Sequence, residues 1–460
     1  MCLNRFPLVV LVSLALLGST PSASVDATAE DWTSLAPREE IEPIFQTKPS
    51  ADGDPTGLEL IIRADDRQGL SGHWRRSVPV VGGRHYQFSV LRKTDGIEHP
   101  RRSAIARLLW RDSNGQKVKH AAPAIDSFRR GIRPQSEPEF PAVVGTHDGW
   151  DELAGVYLAP PDAATATIEL HFRWGDPHSS VHWKQARLEP APAPQKNLVR
   201  LATIHYQPRG GETSMDKCRQ FAPLIEQAAD QNADLVVLPE TLTYYGTKGT
   251  YADAAEPIPG PSTDYFAELA KQHDVYIVAG LHERDGHLIY NVAVLLGPDG
   301  NLVGKYRKVC LPRSEIEGGI MPGNEYPVFS TRFGKVGMMV CYDGFFPEVA
   351  RELANQGADV IAWPVWGCNP LLAQARACEN HVYVVSSTYT QSTDDWIRSA
   401  IYGLDGTTLA AAEEFGTIAI AEVDLNQPHH WHSLGDFKAQ LPAHRPVAVG
   451  EGVAESYGAE

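Results

Sequence analysis

Two patterns of apolar residues divide the chain into two parts. Between about Gly57 and Pro190, apolar and polar residues alternate in short segments that are separated by turn signals such as "DSNGQ". Alternation with a period of two predicts β-strands with one buried face, and short strands at such intervals predict an all-β, jelly-roll-like sandwich of two sheets. The segments are "GLELIIRA", "YQFSVLRKT", "ARLLWRD", "TATIELHFRW" and "SSVHWKQARLEP".

The second part has longer, nearly continuous apolar runs, which predict strands buried on both faces. These runs are "LVRLATIHYQP", "ADLVVLPE", "VYIVAG", "NVAVLLGPDG", "VGMMVCYD" and "ADVIAWPVW". Helical segments lie between some of them. In "SMDKCRQFAPLIEQAADQNA", apolar residues recur at i, i+3, i+4 and i+7 from Phe221 onwards, and "PEVARELANQG" begins with Pro347 and ends at Gly357. This part is therefore predicted to be α/β.

The N-terminus has the pattern of a secretory signal peptide. Arg5 precedes the apolar run "FPLVVLVSLALLG", and small residues follow that run up to Ser24. We therefore predict a signal peptide over residues 1–24 and a secreted or periplasmic protein, with an uncleaved anchor as the alternative. No later apolar run approaches the length of about 20 residues that spans a bilayer, so no membrane association is expected after cleavage.

A Pro-rich segment, "EPAPAPQKN", separates the two patterns and predicts a stiff linker. We predict an accessory β-sandwich domain at residues 30–190, a linker at 191–196 and an α/β domain at 197–450. The formal net charge of −16 disfavours nucleic acid or an anionic membrane as a partner, because both require a basic face. Small molecules are the expected partners.

The cysteines give a further constraint. The chain has six cysteines, and Cys2 would be removed with the signal peptide. The five that remain are an odd number, so at least one thiol has no intramolecular partner even in an oxidising compartment. No C-x-x-C pair is present, which disfavours zinc and thioredoxin-like sites of that type.

Three apolar runs end in or lead to a residue with useful chemistry. Glu240 ends "ADLVVLPE", Lys308 lies in "GKYRKVCLP", and Cys341 follows the apolar run of "VGMMVCYD". Because ligands of α/β sheets bind at the carboxyl ends of strands, Glu240 and Cys341 are predicted to converge. A thiol nucleophile, a carboxylate base and a fixed cation are suited to cleaving an amide. Taken singly, each has an ordinary alternative: a buried structural thiol, a strand-end carboxylate and a solvated lysine.

The order and local context of these motifs resemble the nitrilase superfamily of carbon–nitrogen hydrolases over residues 197–449. The motifs are "LPE", "YRKVCLP", "GMMVCYDGFFPEVAREL", "RACENHVYVVSS" and "IYGLDGTTLAAAEEFGTIAIAEVDL". The resemblance implies a four-layer α-β-β-α sandwich and a Glu-Lys-Cys triad. It implies that Cys341 is the nucleophile, Glu240 the general base and Lys308 the cation beside the tetrahedral intermediate, with no metal or organic cofactor.

The resemblance also implies a second glutamate near the lysine. The segment "RSEIEGGIMPG" offers Glu315 and Glu317. Glu317 is preferred because it directly precedes Gly318-Gly319, and a solvated loop carboxylate is the alternative for either residue.

The residues after the nucleophile bear on the substrate. Nitrilases usually have Trp-Glu there, whereas Tyr342-Asp343 is more similar to the amidase and carbamoylase branches, so an amide or ureido substrate is favoured over a nitrile. Aromatic residues beyond the strand ends are candidates for the pocket wall, with ordinary packing as the alternative. They are Tyr244, Tyr245, Tyr342, Trp363 and Trp366.

Other chemistries have weaker sequence support. His381 would pair with Cys341 or Cys378 in a Cys-His arrangement, but "CENHVYVVSS" is typical of a helix that leads into a buried strand, which favours a structural or pocket-lining histidine. The loop "QPHHWHS" contains His429, His430 and His432, and we expect no metal there because no carboxylate or thiolate partner is evident nearby in the sequence.

The favoured function is hydrolysis of an amide or N-carbamoyl group of a small molecule through a Cys thioester. The alternatives are acyl transfer from the same thioester and a non-catalytic binding protein whose β-sandwich takes the ligand. The N-terminal module resembles galactose-binding-like domains, so a glycan is one hypothesis for its ligand, and a structural or partner-docking role is favoured. The superfamily resemblance also implies a homodimer.

Overall fold

The computed structural model of the protein describes residues 31–49, 57–122 and 131–447. The predicted signal peptide, the first residue of the predicted accessory domain and the last residues of the predicted α/β domain lie outside this part of the chain. Within the described ranges, no helix combines the length and the apolar character needed to cross a membrane.

The first part of the chain consists mainly of antiparallel strands. A 3-10 helix spans Glu39–Ile41 and a short helix, α1, spans Pro100–Ser103. The strands are β1 (Thr33–Leu35), β2 (Ile44–Pro49), β3 (Leu58–Arg63), β4 (Leu70–Pro79), β5 (His85–Asp95), β6 (Ala106–Arg111), β7 (Ala142–His147), β8 (Trp150–Leu158), β9 (Thr165–Gly175) and β10 (Ser180–Ala191).

These strands form two sheets that share one core. The first has the order β1-β4-β9-β6 and the second the order β2-β3-β10-β5-β8-β7. Trp110 and Phe172 of the first sheet pack into the same cluster as Phe88 and Trp183 of the second, and all four are at most 1% exposed. The strict alternation of buried and partly exposed residues along β6 shows why the period of two predicts this arrangement.

The second part of the chain alternates strands with helices. The strands are β11 (Leu198–His205), β12 (Leu235–Val237), β13 (Tyr276–Asp285), β14 (Leu288–Leu296), β15 (Leu302–Arg307), β16 (Val328–Ser330), β17 (Lys335–Met338), β18 (Val360–Pro364), β19 (Tyr383–Ser387), β20 (Ala400–Tyr402), β21 (Thr408–Ala411), β22 (Thr417–Asp424), β23 (His430–Trp431) and β24 (Gly435–Asp436). The helices are α2 (Ser214–Arg219), α3 (Ala222–Asp230), α4 (Tyr251–Ala254), α5 (Pro261–His273), α6 (Arg313–Glu317), α7 (Pro347–Asn355), α8 (Pro370–Asn380) and α9 (Phe437–His444), and a 3-10 helix spans Cys341–Phe345.

Two six-stranded sheets form the centre of this part. Their orders are β15-β14-β13-β12-β11-β22 and β16-β17-β18-β19-β20-β21, while β23 and β24 pair separately. Strands β11, β12 and β13 run parallel, as do β17, β18 and β19. The carboxyl ends of each parallel set therefore lie at one edge of its sheet.

Successive residues of the buried strands serve two different cores. Val237 belongs to the cluster that includes Val360 and Val384 of the second sheet, whereas its neighbour Val236 belongs to the cluster that includes Phe266 of α5. Because side chains alternate across a strand, both faces of β12 are covered, which explains its continuous apolar sequence. Helices α3 and α5 pack on the first sheet, and α7 and α8 on the second.

The structure differs from the sequence-based prediction at one helix and at the linker. The helix predicted from Ser214 onwards is divided into α2 and α3, because Pro223 has no N–H to continue the helical hydrogen bonds. The predicted linker lies between β10 and β11, except that Ala191 is the last residue of β10. The division into separate domains stays a prediction.

A close backbone contact joins β13 to the segment after β12. A Cβ atom at Gly280 would lie 2.5 Å from Cα of Glu240 and 2.7 Å from the carbonyl oxygen of Pro239. Carbon atoms do not approach backbone so closely without displacing it, so glycine at this position allows Glu240 to lie against β13.

We expect Gly280→Ala to lower the free energy of unfolding by about 3 kcal/mol, the upper end for overpacking, because the opposing atoms are backbone. Gly286→Ala is the control, since Gly286 has no heavy atom within 4 Å of the added Cβ and only a left-handed φ of 61°. Gly286→Ala should lower the free energy of unfolding by about 1 kcal/mol, because alanine is less stable in the left-handed conformation. Equal losses in denaturant titrations of the two variants would contradict the steric explanation.

Candidate active site

Cys341 lies at the start of a strained turn. It follows β17, begins the 3-10 helix Cys341–Phe345, and has a φ of 42°, in the left-handed region that non-glycine residues rarely adopt. The turn is held from outside: Trp363 Nε1 donates a hydrogen bond to the Cys341 carbonyl at 3.3 Å, and Arg376 Nε donates to the Gly344 carbonyl at 3.2 Å. Strain of this kind persists only where surrounding structure fixes it.

Asp343 fastens this turn to the segment that carries Lys308. Its carboxylate accepts hydrogen bonds from the backbone N–H of Val340, the backbone N–H of Cys310 and the Tyr306 hydroxyl, each at 2.8 Å. Tyr306 and Cys310 flank Lys308 in the sequence, so one buried carboxylate sets the position of the thiol relative to the lysine. Burial raises the pKa of Asp343, and these hydrogen bonds and the charge of Lys308 oppose that effect.

Glu240 follows β12 and is 2% exposed. The Tyr389 hydroxyl donates to its carbonyl oxygen at 2.7 Å, and the next residue, Thr241, has a φ of 44°. These features turn the backbone so that the Glu240 side chain meets Lys308, whose Nζ lies 2.9 Å from Glu240 Oε1. Asn291 of β14 donates to the same oxygen at 2.8 Å.

Lys308 is fully buried between two carboxylates. Its Nζ donates to Glu315 Oε1 at 2.7 Å as well as to Glu240, and Asn291 Nδ2 also donates to Glu315 Oε1, at 2.9 Å. Burial alone would lower the pKa of Lys308, but the neighbouring carboxylates of Glu240 and Glu315 raise it overall, so the ammonium stays charged. Burial and the charge of Glu240 raise the pKa of Glu315 against the effect of Lys308.

The thiol lies within the field of these charges. Cys341 Sγ is 3.6 Å from the Gly367 carbonyl oxygen. Burial raises the pKa of Cys341, the charge of Glu240 raises it further, and the charge of Lys308 lowers it, with a net rise. The resting thiol is therefore protonated at neutral pH. Glu240 Oε2 is buried without a hydrogen-bond partner among the described residues, so it is free to accept a proton.

The structure brings Glu240, Lys308 and Cys341 together, as the strand-end argument predicts for Glu240 and Cys341 and as the family resemblance implies for Lys308. It corrects the preference for Glu317, which is exposed at the end of α6, whereas Glu315 is buried and bonded to Lys308. Residues two apart on a helix point in different directions, and only Glu315 faces inward. The functional roles of all four side chains stay predictions at this point.

The aromatic candidates have different positions. Trp363 is 0% exposed and supports the Cys341 turn, so it has no free surface for a ligand, and its prediction as a pocket wall is corrected to a packing role. Trp366 is 42% exposed and lies 5.1 Å, centroid to centroid, from Tyr245. Tyr244 packs 4.8 Å from Tyr251.

Tyr342 is partly buried beside the nucleophile. Its ring centroid lies 5.3 Å from that of Phe345 and 5.3 Å from that of Phe346. It therefore belongs to an aromatic group next to the Cys341 turn, and its part in substrate binding stays a prediction.

Sequence reasoning missed Asn291 and Tyr389. Asn291 is 0% exposed, and its one signal was an amide side chain within the apolar segment "LIYNVAVLL". Tyr389 follows β19 and packs 4.1 Å from Tyr245 in addition to bonding the Glu240 backbone. Nothing in the local sequence of Tyr389 indicated that contact.

Comparison with known proteins identifies the family of the chain. A sequence model of the Carbon-nitrogen hydrolase family matches residues 208–432. Omega-amidase NIT2-B of Xenopus laevis is 32% identical over 254 residues, which are 50% of this chain and 88% of that protein. The chain belongs to the nitrilase superfamily of carbon–nitrogen hydrolases.

Other relatives of this carbon–nitrogen hydrolase include a nitrilase of Pyrococcus abyssi, 41% identical over 198 residues, with coverage of 41% of this chain and 74% of that protein. Among solved structures, Nit3 of Saccharomyces cerevisiae, a member of branch 10 of the nitrilase superfamily, is 26% identical with a TM-score of 0.45, covering 49% of this chain and 90% of that chain. The family assignment rests on the sequence matches, and the enzyme class follows from it.

The positions of Glu315 and Glu317 supply a matched test. We expect Glu315→Gln to lower kcat for carbon–nitrogen hydrolysis by at least about tenfold, which corresponds to about 1.4 kcal/mol of transition-state stabilisation, because it removes one partner of the buried ammonium. Glu317→Gln, two residues away and exposed, should stay within about twofold. Steady-state kinetics of both folded variants measure kcat. A larger loss of kcat in Glu317→Gln than in Glu315→Gln would support the sequence-based choice of Glu317 as the second glutamate.

Proposed function

We propose that this carbon–nitrogen hydrolase cleaves an amide bond of a small molecule through a thioester formed on Cys341. One observation carries the proposal: a buried lysine joins two carboxylates next to a thiol, and among the described residues the second oxygen of each carboxylate, Oε2, has no hydrogen-bond partner. A purely structural salt bridge would not explain why a thiol on a strained turn lies next to it, whereas a catalytic role explains both features.

In the first half-reaction, Glu240 takes the proton of the Cys341 thiol as sulfur attacks the carbonyl carbon of the amide. Charge develops on the carbonyl oxygen, where Lys308 and the backbone N–H of Tyr342 stabilise it, and each such donor is typically worth about 3 kcal/mol. Glu240 then gives its proton to the nitrogen as the carbon–nitrogen bond breaks. Ammonia or an amine leaves, and the acyl group stays on sulfur as a thioester.

In the second half-reaction, Glu240 acts as a base again. It takes a proton from water, whose oxygen attacks the thioester carbon, and the same donors stabilise the second oxyanion. The carbon–sulfur bond then breaks, the Cys341 sulfur regains the proton from Glu240, and the carboxylic acid is released. Glu315 and Asn291 touch neither reacting atom in this scheme, and we propose that they position Lys308 and Glu240.

A cleft of about 710 Å³ has none of the triad residues in its lining, but Thr243 and Tyr245, which follow Glu240 in the chain, contribute to it. Its basic residues Arg209, Lys217 and Lys248 outnumber its acidic residues Glu212 and Asp253. We therefore propose that the substrate carries an anionic group as well as the amide, because cations at a cleft mouth concentrate anions. The names of the omega-amidase relatives support an amide substrate, and Tyr342-Asp343 after the nucleophile favours an amide over the nitrile that the name of the Pyrococcus abyssi relative suggests.

Several finer features stay proposals. We propose that the two sheets and their flanking helices form the four-layer α-β-β-α sandwich that the sequence resemblance implies. From the sequence we also propose that the protein is secreted and that its signal peptide is cleaved after residue 24. We further propose that it forms a homodimer and that the N-terminal sheets bind a glycan or dock a partner.

The test is release of ammonia by the purified chain from a panel of primary amides with and without a carboxylate, ureido acids and nitriles. We expect turnover of amides, a lower KM for those with a carboxylate, and a loss of at least about 10³-fold in Cys341→Ser. Added hydroxylamine should divert part of the acyl group to a hydroxamate, since it competes with water for the thioester.

Turnover that persists in Cys341→Ser would refute the thiol mechanism. Turnover of nitriles alone would refute the amide substrate. Acyl transfer to amines with no hydrolysis in their absence would favour the acyltransferase alternative.

A further inference from the structure

A second polar cluster lies away from the proposed active site, between the first part of the chain and its C-terminal segment. His120, Glu139 and His430 are each buried, with 6–7% of their surface exposed. One ligand atom of each, a ring nitrogen or a carboxylate oxygen, lies within 4.8 Å of the corresponding atoms of the other two. Two residues of the first part of the chain therefore meet one residue of the distant C-terminal segment.

The backbone around each residue is firmly placed. His120 N–H donates to the Pro134 carbonyl at 2.8 Å, and Glu139 exchanges two backbone hydrogen bonds with Leu108 of β6, at 2.9 and 3.0 Å. His430 belongs to β23, where it pairs with Asp436 of β24. The three side chains are thus held by ordered backbone.

The cluster is poorly satisfied as it stands. The rings of His120 and His430 lie 3.6 Å apart, centroid to centroid, and Nδ1 of His120 is buried with no hydrogen-bond partner in the part of the chain that the structure describes. Glu139 accepts a hydrogen bond from Trp110 Nε1 at 3.2 Å, but no cationic side chain is paired with it in the described residues. Buried nitrogen acceptors and a buried carboxylate without a cation are each costly.

Electrostatics point in the same direction. Burial raises the pKa of Glu139 to about 8, against the effect of the Trp110 hydrogen bond. Burial lowers the pKa of His430 to about 3, with further lowering by His120 and His429.

We propose that His120, Glu139 and His430 bind one divalent transition-metal ion, with Zn²⁺ as the favoured ion. Two histidines and one glutamate, with water in the fourth position, are a ligand set of catalytic zinc sites, whereas structural zinc usually has four protein ligands, so the role proposed below is argued from position and not from the ligand set. Zinc–ligand distances of about 2.0–2.2 Å place ligand atoms closer together than the 4.8 Å limit, so only a small inward movement of side chains is needed.

The position of the ion gives it a structural role. His120 and Glu139 belong to the first part of the chain, whereas His430 lies in the C-terminal segment that also reaches the hydrolase, where Trp431 and Phe437 pack against His381. Arg101 donates to the carbonyl oxygens of Pro442 and Arg445 nearby. The metal therefore cross-links the N-terminal sheets to a segment packed on the hydrolase, and is not required for amide cleavage.

The loop "QPHHWHS" offers His430 as a candidate ligand, but nothing in the sequence connects it to His120 or Glu139, which lie in remote segments. The sequence-based expectation of no metal considered the loop alone, whereas the fold brings Glu139 to it from elsewhere in the chain.

The test is Zn²⁺ binding by the tag-free full chain, measured by competition with a chromogenic chelator and by elemental analysis. We expect one Zn²⁺ per chain and a rise in the thermal unfolding midpoint on adding Zn²⁺. Glu139→Gln preserves the shape of the side chain and its acceptor for Trp110, so it should remain folded yet bind Zn²⁺ at least about tenfold more weakly. His120→Ala should do the same, and both should lose the Zn²⁺-dependent rise in midpoint.

His429→Ala is the matched control, since it removes a histidine of the same loop that is outside the cluster, and its Zn²⁺ affinity should equal that of the parent chain. No stoichiometric binding by the parent, or equal affinity in Glu139→Gln and His429→Ala, would overturn the proposal. Amide turnover measured in parallel is expected to be unaffected by chelation, so the outcome is independent of the proposed active site.

Discussion

The buried ammonium of Lys308 is the interaction on which the rest of the site depends. Removing such a charge from water costs several kcal/mol unless it is paired and fully hydrogen-bonded. Here Glu240, Glu315 and Asn291 surround it, and they come from the segment after β12, from α6 and from β14. Removing one carboxylate would leave a buried charge less well compensated, at a cost of about 3–5 kcal/mol for a typical buried pair. The cluster therefore fixes the relative positions of three segments of the chain.

The same cluster controls the thiol. Burial raises the pKa of the Cys341 thiol, the charge of Glu240 raises it further, and the charge of Lys308 only partly opposes these effects. A protonated nucleophile beside an unpartnered carboxylate oxygen is suited to proton transfer that accompanies attack on the substrate. Asp343 fixes this geometry, because its carboxylate accepts hydrogen bonds from Val340 in the Cys341 turn and from Tyr306 and Cys310, which lie two residues before and after Lys308.

The parts of the fold that sequence predicts well are those set by local pattern. Apolar runs mark the buried strands, and strand ends mark Glu240 and Cys341, because the chain must leave a sheet where its apolar residues stop. The local sequence pattern does not predict which side chains of different helices and strands point toward each other and make contact. The choice between Glu315 and Glu317 depends on which face of the single-turn helix α6 packs inward, and the packing role of Trp363 depends on its meeting Gly344, where an added Cβ would lie 2.0 Å from the indole ring. The cluster of His120, Glu139 and His430 is more remote still, since it exists only when distant segments meet.

The most direct test of the electrostatic account is the pH dependence of alkylation of Cys341 by iodoacetamide in Glu240→Gln, followed by mass spectrometry of the peptide that carries it. Glu240 raises the pKa of the thiol and Lys308 lowers it, so removing the carboxylate charge while Glu315 still pairs with Lys308 should lower the pKa. Alkylation should therefore become faster at a given pH below the parent pKa, although the variant loses amide turnover, while Glu317→Gln should follow the parent profile. A profile unchanged or moved to higher pH in Glu240→Gln would contradict the claim that this buried charge cluster controls the nucleophile.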